Sequence, residues 1–184
     1  MRSHLTNYIG IRTDHEECAT IDDLARSLWD QGTWLSVTLV RLGSDPTQMR
    51  TLLERFVIDE TTVLHVESHG GGDGAEWWLS GKSVDLSPDA VDRRRRRLCP
   101  GLLVVGACYA GTPAGRTTLS LLFRPGTRLL ASSSETRAPQ VGRVIAPVVE
   151  AAHRGASLSA ALKQAQARRT DYRVDQAWSL HTLG

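Results

Sequence analysis

The sequence predicts an α/β fold, a three-layer α/β/α sandwich built around a mostly parallel sheet. Short apolar and β-branched segments alternate along the chain with segments whose apolar residues recur at helical spacing. One segment, residues 102–107, is almost continuously hydrophobic, which is typical of a parallel strand buried on both faces. Strands that alternate with helices form βαβ units, so helices are expected on both sides of the sheet.

Three strands and two helices are expected in the first half of the chain. Thr20, with Asp23 three residues later, resembles a capping box and opens an amphipathic helix. Pro46 is expected in the first turn of a second helix, which continues to Phe56. The strands are expected at residues 7–12, 34–42 and 61–67.

The second half continues the alternation. Ser87 and Pro88 open a helix that runs through five arginines, and Pro100 stops it. The arginine run is expected to be a solvated helix end. After the strand at 102–107, we expect a helix at 117–123, a strand at 127–133 and helices at 141–154 and 158–169. The tail from residue 171 shows no clear preference.

The composition favours one soluble domain over residues 1–184. The net charge of +2 is too small to indicate a nucleic-acid partner. No signal peptide and no membrane-spanning run is recognisable, so no membrane partner is expected. Three cysteines are too few for a disulfide framework, which favours a cytoplasmic location.

Two reactive side chains follow apolar strands at the point where each strand ends, His69 and Cys108. In parallel sheets the active site lies beyond the carboxyl ends of the strands. If the two strands are neighbours, both side chains face one crevice. A helix N-terminus after Cys108 would favour a thiolate nucleophile, and His69 would serve as general base or acid. The backbone N–H groups of Gly70 and Cys108 would then form an oxyanion hole.

The segments VLHVESHG and LLVVGACYAG resemble the two catalytic blocks of the caspase-like cysteine peptidases, in which one strand ends in His-Gly and a later one in Ala-Cys. Within that clan the pattern is most similar to the bacterial CHAT domain. The corresponding elements are His69-Gly70, Ala107-Cys108 followed by small residues, the strand in RLLASSSE, and a closing helix over residues 155–166. The resemblance spans about residues 61–169.

This resemblance implies a caspase-like sheet and a cysteine endopeptidase with His69 as base and Cys108 as nucleophile, acting on a protein or peptide without a cofactor. Gly106 lies two residues before Cys108, where clan members selective for charged residues often carry a polar or acidic side chain. The residue preferred before the scissile bond therefore stays open. Tetratricopeptide repeats often accompany CHAT domains, so a regulatory partner would be a separate protein here. A bacterial stress or defence pathway is implied by analogy only.

Further candidates surround the pair. Glu67 lies on the same strand face as His69 and would either orient the imidazole or pair elsewhere. Asp73 and Glu135 would line a specificity pocket that favours a basic side chain. Trp77 would form an apolar wall for the substrate, or belong to the core.

Three alternatives stay open at this point. A zinc site on His65, Glu67, His69 and Cys108 is disfavoured, because no CxxC or HExxH motif supports it and no metal is expected. A cysteine hydrolase of the nucleophile-elbow type would need a histidine later in the chain, either His153 or His181. The third alternative is a catalytically silent caspase-like module that acts by binding other proteins.

Overall fold

The computed structural model describes residues 5–13, 20–42, 56–71, 78–80, 98–168 and 176–184. Within these ranges it confirms the predicted α/β sandwich with a mostly parallel sheet. The helices expected to begin near Pro46 and Ser87 start outside these ranges. The arginine run and two of the proposed specificity residues, Asp73 and Trp77, also lie outside them.

Six strands form the main sheet, in the order β2-β1-β3-β6-β7-β8. The first five are parallel, and β8 runs antiparallel to β7. A separate two-stranded ribbon pairs β4 with β5. The strands are β1 (Asn7–Thr13), β2 (Ser36–Leu42), β3 (Thr62–Glu67), β4 (His69–Gly71), β5 (Trp78–Ser80), β6 (Leu102–Gly106), β7 (Arg128–Ser132) and β8 (Trp178–Thr182).

Helices cover both faces of the sheet and enclose one hydrophobic core on each. The helices are α1 (Thr20–Asp30), α2 (Pro113–Leu122), α3 (Ala146–His153) and α4 (Leu158–Ala167). Along β6 the side chains alternate between the two cores. Leu102 and Val104 join the first core, which holds α1, α3 and α4, whereas Leu103 and Val105 join the second core with α2. Each of these fully buried side chains contributes roughly 1.5–3 kcal/mol to folding.

Local sequence signals account for the buried face of α1 and for the start of α2. The apolar face predicted for α1 is confirmed, since Ile21, Leu24, Ala25 and Leu28 are all buried. The helix expected at residue 117 begins earlier, at Pro113, because Thr112 caps it by accepting the Gly115 N–H at 3.2 Å.

After β7, two segments differ from the sequence-based expectation in their regular structure. The helix expected over residues 141–154 begins with a π-helical stretch, Val141–Ile145, in which the Ala146 N–H bonds the Val141 carbonyl. Pro147 lacks an N–H and crowds the carbonyl four residues earlier, which favours this wider turn before α3. The ambiguous tail forms β8. Among the described helices, none combines the length and hydrophobicity that crossing a membrane requires.

Candidate active site

The two strands that carry the reactive residues are neighbours in the sheet. β3 and β6 pair in parallel with Glu67 opposite Gly106, so His69 and Cys108 each lie two residues beyond that pair. Both residues line one cavity of about 230 Å³ at the carboxyl edge of the sheet. The condition set by the sequence, that the strands be adjacent, is therefore met.

The sulfur of Cys108 is held by the loop that follows β7. The Thr136 N–H donates to Cys108 Sγ at 3.3 Å, and Thr136 Oγ1 lies 3.6 Å from the same sulfur. The expected helix follows Cys108, but it begins only at Pro113. An N–H donor at the sulfur stabilises negative charge there. The sequence did not single out Thr136, since the loop after β7 carries no motif that points to the sulfur.

Gly70 lies against the backbone of Cys108. A Cβ placed on Gly70 would lie 2.5 Å from the Cys108 carbonyl oxygen and 3.1 Å from the Cys108 nitrogen. Only a residue without a side chain fits this approach. The two backbone segments expected to supply the oxyanion hole are thus in direct contact.

The turn after Cys108 is strained and firmly anchored. Tyr109 has φ of 61°, the one positive value at a non-glycine residue in the described part of the chain. Its N–H donates to the Ser134 carbonyl at 2.9 Å, and the Gly111 N–H donates to the Ser132 carbonyl at 2.7 Å. These bonds attach the turn to the end of β7 and fix the position of Cys108.

A buried chain of polar groups ends at the cavity. The Tyr8 hydroxyl lies 2.7 Å from His65 Nδ1, and His65 Nε2 lies 2.7 Å from Glu67 Oε1. Tyr8 and His65 are completely buried, and Glu67 is buried while lining the cavity. Burial and the negative charge of Glu67 raise the pKa of Tyr8 well above its usual value, so the phenol stays protonated.

The sequence left open whether Glu67 orients the imidazole of His69 or pairs with another group. In the structure its Oε1 pairs with His65. The sequence missed Tyr8, because its contact with His65 depends on the register of two strands separated by 57 positions along the chain. Gly106 provides the space for this carboxylate. A Cβ on Gly106 would overlap the carboxylate of Glu67, and both residues line the cavity.

The remaining candidates lie in different places. Glu135 is exposed in the loop after β7, and the described residues of the cavity wall include its neighbours Thr136 and Arg137 but not Glu135 itself. Arg137, an exposed residue, brings a positive charge that the sequence did not assign to the site. Both ring nitrogens of His65 are engaged, and the described residues contain no group of three or more His, Cys, Asp or Glu side chains placed to hold a metal ion.

The two later histidines are held away from Cys108. His153 Nδ1 lies 2.7 Å from the carbonyl of Leu5, which precedes β1 at the amino edge of the sheet. His181 pairs with Leu129, three positions back along β7 from its carboxyl end. Burial, together with the positive charge of Arg116 at 3.1 Å, lowers the pKa of His181. The nucleophile-elbow alternative therefore has neither of its histidines at the carboxyl edge.

Comparison with known proteins leaves the geometry as the basis for function: no protein-family model matches this sequence, and no curated protein matches it. The site is therefore interpreted through its own atoms, a half-buried thiol, an imidazole that lines the same cavity and a close backbone approach at the edge of a parallel sheet.

Proposed function

We propose that this protein is a cysteine endopeptidase in which Cys108 is the nucleophile and His69 the general acid and base. The observation that carries the proposal is the pairing of β3 with β6, which brings both side chains to one cavity at the carboxyl edge. Parallel sheets bind their ligands at this edge.

The proposed reaction needs only groups of this chain and a water molecule. The Cys108 thiolate attacks the carbonyl carbon of the scissile peptide, the C–S bond forms, and the carbonyl electron pair moves to the oxygen. The N–H groups of Gly70 and Cys108 stabilise this oxyanion. His69 donates a proton to the leaving amine as the C–N bond breaks. His69 then takes a proton from water, which attacks the acyl-enzyme and releases the second product and the thiolate.

The resemblance to CHAT domains extends the proposal to the cellular setting. A bacterial cytoplasmic peptidase of this kind would cut a protein substrate, in a stress or defence response, and a separate protein would regulate it. These points rest on analogy with the family and not on atoms of the site.

The test compares Cys108→Ala and His69→Ala with the wild type on a diverse peptide library, with cleavage products identified by mass spectrometry. Each variant is expected to lose roughly 10²–10⁴ or more in rate, the range attributed to a positioned acid–base or nucleophilic group. The matched control is Cys99→Ala, a half-buried free cysteine that precedes β6 and does not line the cavity, and it should retain full activity. Cleavage that persists in both site variants would refute the proposal.

A thiol-directed label separates this proposal from a silent interaction module. A limiting amount of iodoacetamide is expected to modify Cys108 before Cys99, because Cys108 lines the cavity that would admit the reagent and Cys99 does not. Labelling of Cys99 with Cys108 left unmodified would instead favour a module that binds partners without catalysis.

A further inference from the structure

The wall of the candidate active site carries a carboxylate with no role in the proposed bond cleavage. Glu67 extends from the carboxyl end of β3 into the space above Gly106, where any other residue at position 106 would place its own side chain. Glu67 and Gly106 both line the cavity that holds His69 and Cys108. An acidic group therefore stands beside the nucleophile, supplied by the neighbouring strand.

The hydrogen-bond chain behind Glu67 holds its carboxyl group in place. In one tautomer of His65 the Tyr8 hydroxyl donates to Nδ1, and the proton on Nε2 is donated to Glu67 Oε1. Every member of the chain is satisfied in this arrangement when Glu67 is ionised. A carboxylate accepts about four hydrogen bonds, so Glu67 keeps the capacity to bind a cation from the cavity side.

Burial strengthens the interaction of the Glu67 carboxylate with a charged ligand. The side chain of Glu67 is only 9% exposed, whereas Arg137 is an exposed residue. A charge in a low-dielectric setting interacts several times more strongly with a ligand than one screened by water and salt. The cavity is therefore expected to attract a positive group despite the presence of Arg137.

The rest of the cavity suits an aliphatic chain. Val141, Ile145 and Trp178, all members of the first core, form part of the wall. The volume of about 230 Å³ is below the roughly 300–1,000 Å³ of sites that take drug-sized ligands, and is suited to one side chain. An apolar stem that ends in a cation matches this combination of an apolar wall and a buried carboxylate.

We propose that Glu67 determines specificity by binding the cationic side chain of a lysine or arginine that directly precedes the scissile bond. Gly106 makes this binding possible because it has no side chain in the space that the carboxylate occupies. Tyr8 and His65 hold the carboxylate in position. The inference rests on the proposed peptidase activity and names the class of its substrates. Selectivity of the opposite sign, for aspartate or glutamate, would place control at Arg137.

The first experiment uses the wild-type protein and peptides that differ only in the residue before the scissile bond. Lysine is compared with norleucine, which keeps the stem and lacks the charge, and with glutamate. We expect kcat/KM to be roughly 10- to 100-fold higher for lysine than for norleucine, the factor typical of a hydrogen bond to a charged group. Equal rates for lysine and norleucine, or a preference for glutamate, would overturn the assignment.

Glu67→Gln tests the residue itself. The amide can still accept from His65 Nε2 and has nearly the same shape, so the variant should fold, which thermal unfolding checks. Its lysine-to-norleucine ratio of kcat/KM is expected to fall to about 1, and because both peptides are measured on the same variant, a general loss of activity cancels from this ratio. Arg137→Gln is the matched control and should keep the lysine preference. An unchanged ratio in Glu67→Gln would refute the role of Glu67.

A binding measurement separates failure of this inference from failure of the peptidase proposal. Agmatine, a four-carbon chain with a guanidinium group at one end and an ammonium group at the other, is titrated by calorimetry into Cys108→Ala and into Cys108→Ala/Glu67→Gln. Binding to the first variant only supports the Glu67 site even where no peptide is cleaved. Peptide cleavage by the wild type without agmatine binding or lysine preference would leave the peptidase proposal standing and overturn this one.

Discussion

Substitution of Gly106 by alanine tests the contact on which the cavity depends. The added methyl group would overlap the carboxylate of Glu67 and displace it from His65. Overpacking of a buried site costs about 2 kcal/mol. The His65 N–H, completely buried, then loses its acceptor at a cost of about 2 kcal/mol more. Replacing glycine by alanine returns about 0.4–1 kcal/mol through the unfolded chain, so a net loss of about 3 kcal/mol is expected.

A double-mutant cycle shows whether this loss comes from Glu67. Glu67→Ala alone removes the acceptor of His65 and should cost about 2 kcal/mol. In Glu67→Ala/Gly106→Ala the methyl group occupies vacated space, so the pair should also cost about 2 kcal/mol. The interaction energy is then about −3 kcal/mol, well beyond the ~0.5 kcal/mol scatter of independent sites.

Urea denaturation followed by circular dichroism measures all four proteins, and a loss of 3 kcal/mol moves the midpoint by roughly 1–3 M. Gly142→Ala is the matched control, because a Cβ there meets nothing within 4 Å. Helical propensity predicts that this control is unchanged or slightly stabilised. Additive costs in the cycle would refute the placement of the Glu67 carboxylate above Gly106.

Three further predictions concern the surroundings of the site and the ends of the sheet. Gly70→Ala should lower peptidase activity at least about 10-fold and stability by about 1–3 kcal/mol, because its methyl group would lie 2.5 Å from the Cys108 carbonyl oxygen; wild-type kinetics and melting would contradict this. Burial lowers the pKa of His181 in the folded protein below its ordinary value of 6.5. As the pH falls below 6.5, the histidine is therefore protonated in the unfolded chain before it is protonated in the folded one, and the free energy of unfolding declines. Urea denaturation of the wild type and of His181→Gln across this pH range should show a smaller decline in the free energy of unfolding for the variant, by under about 1 kcal/mol. Equal declines in the two proteins would contradict this prediction. Hydrogen bonds, of which the one from the Thr61 side chain has the largest effect, lower the pKa of Asp59 in the folded protein. The stability that these bonds add is present above pH 3.8, the ordinary pKa of the group, and is lost as the pH falls through the lower pKa of the folded state. Asp59→Asn should therefore destabilise by about 1 kcal/mol at neutral pH and hardly at all in acid, and a pH-independent difference would contradict this.

The five parallel strands were well predicted because their signal is local, whereas the β4–β5 ribbon and β8 were not predicted. Residues 102–107 were expected as a doubly buried strand, and Leu102–Gly106 is buried throughout. The expectation that the two reactive residues meet depended on strand order, which no local pattern contains. The pairing of β3 with β6 supplied it.

The polar surroundings of the pair were out of reach for a similar reason. Tyr8 looks like any aromatic residue of a strand until its hydroxyl is placed against His65. Thr136 lies 28 positions after Cys108 in a loop without regular structure, and its N–H reaches the sulfur only because β7 is the neighbour of β6. Gly106 was recognised as unusual, but the group that fills its space comes from another strand.

The antiparallel strand β8 gives the cavity a wall that does not depend on the strands that carry the reactive residues. His69 and Cys108 follow β3 and β6, which pair directly with each other. Trp178, which opens β8 opposite Ser132, reaches the cavity wall from the last strand in the order of the sheet. Detachment of β8 from β7 would therefore open one side of the cavity while the pairing that places the thiol and the imidazole stays intact. The shape of the cavity and the placement of its two reactive residues can in this way be disturbed separately.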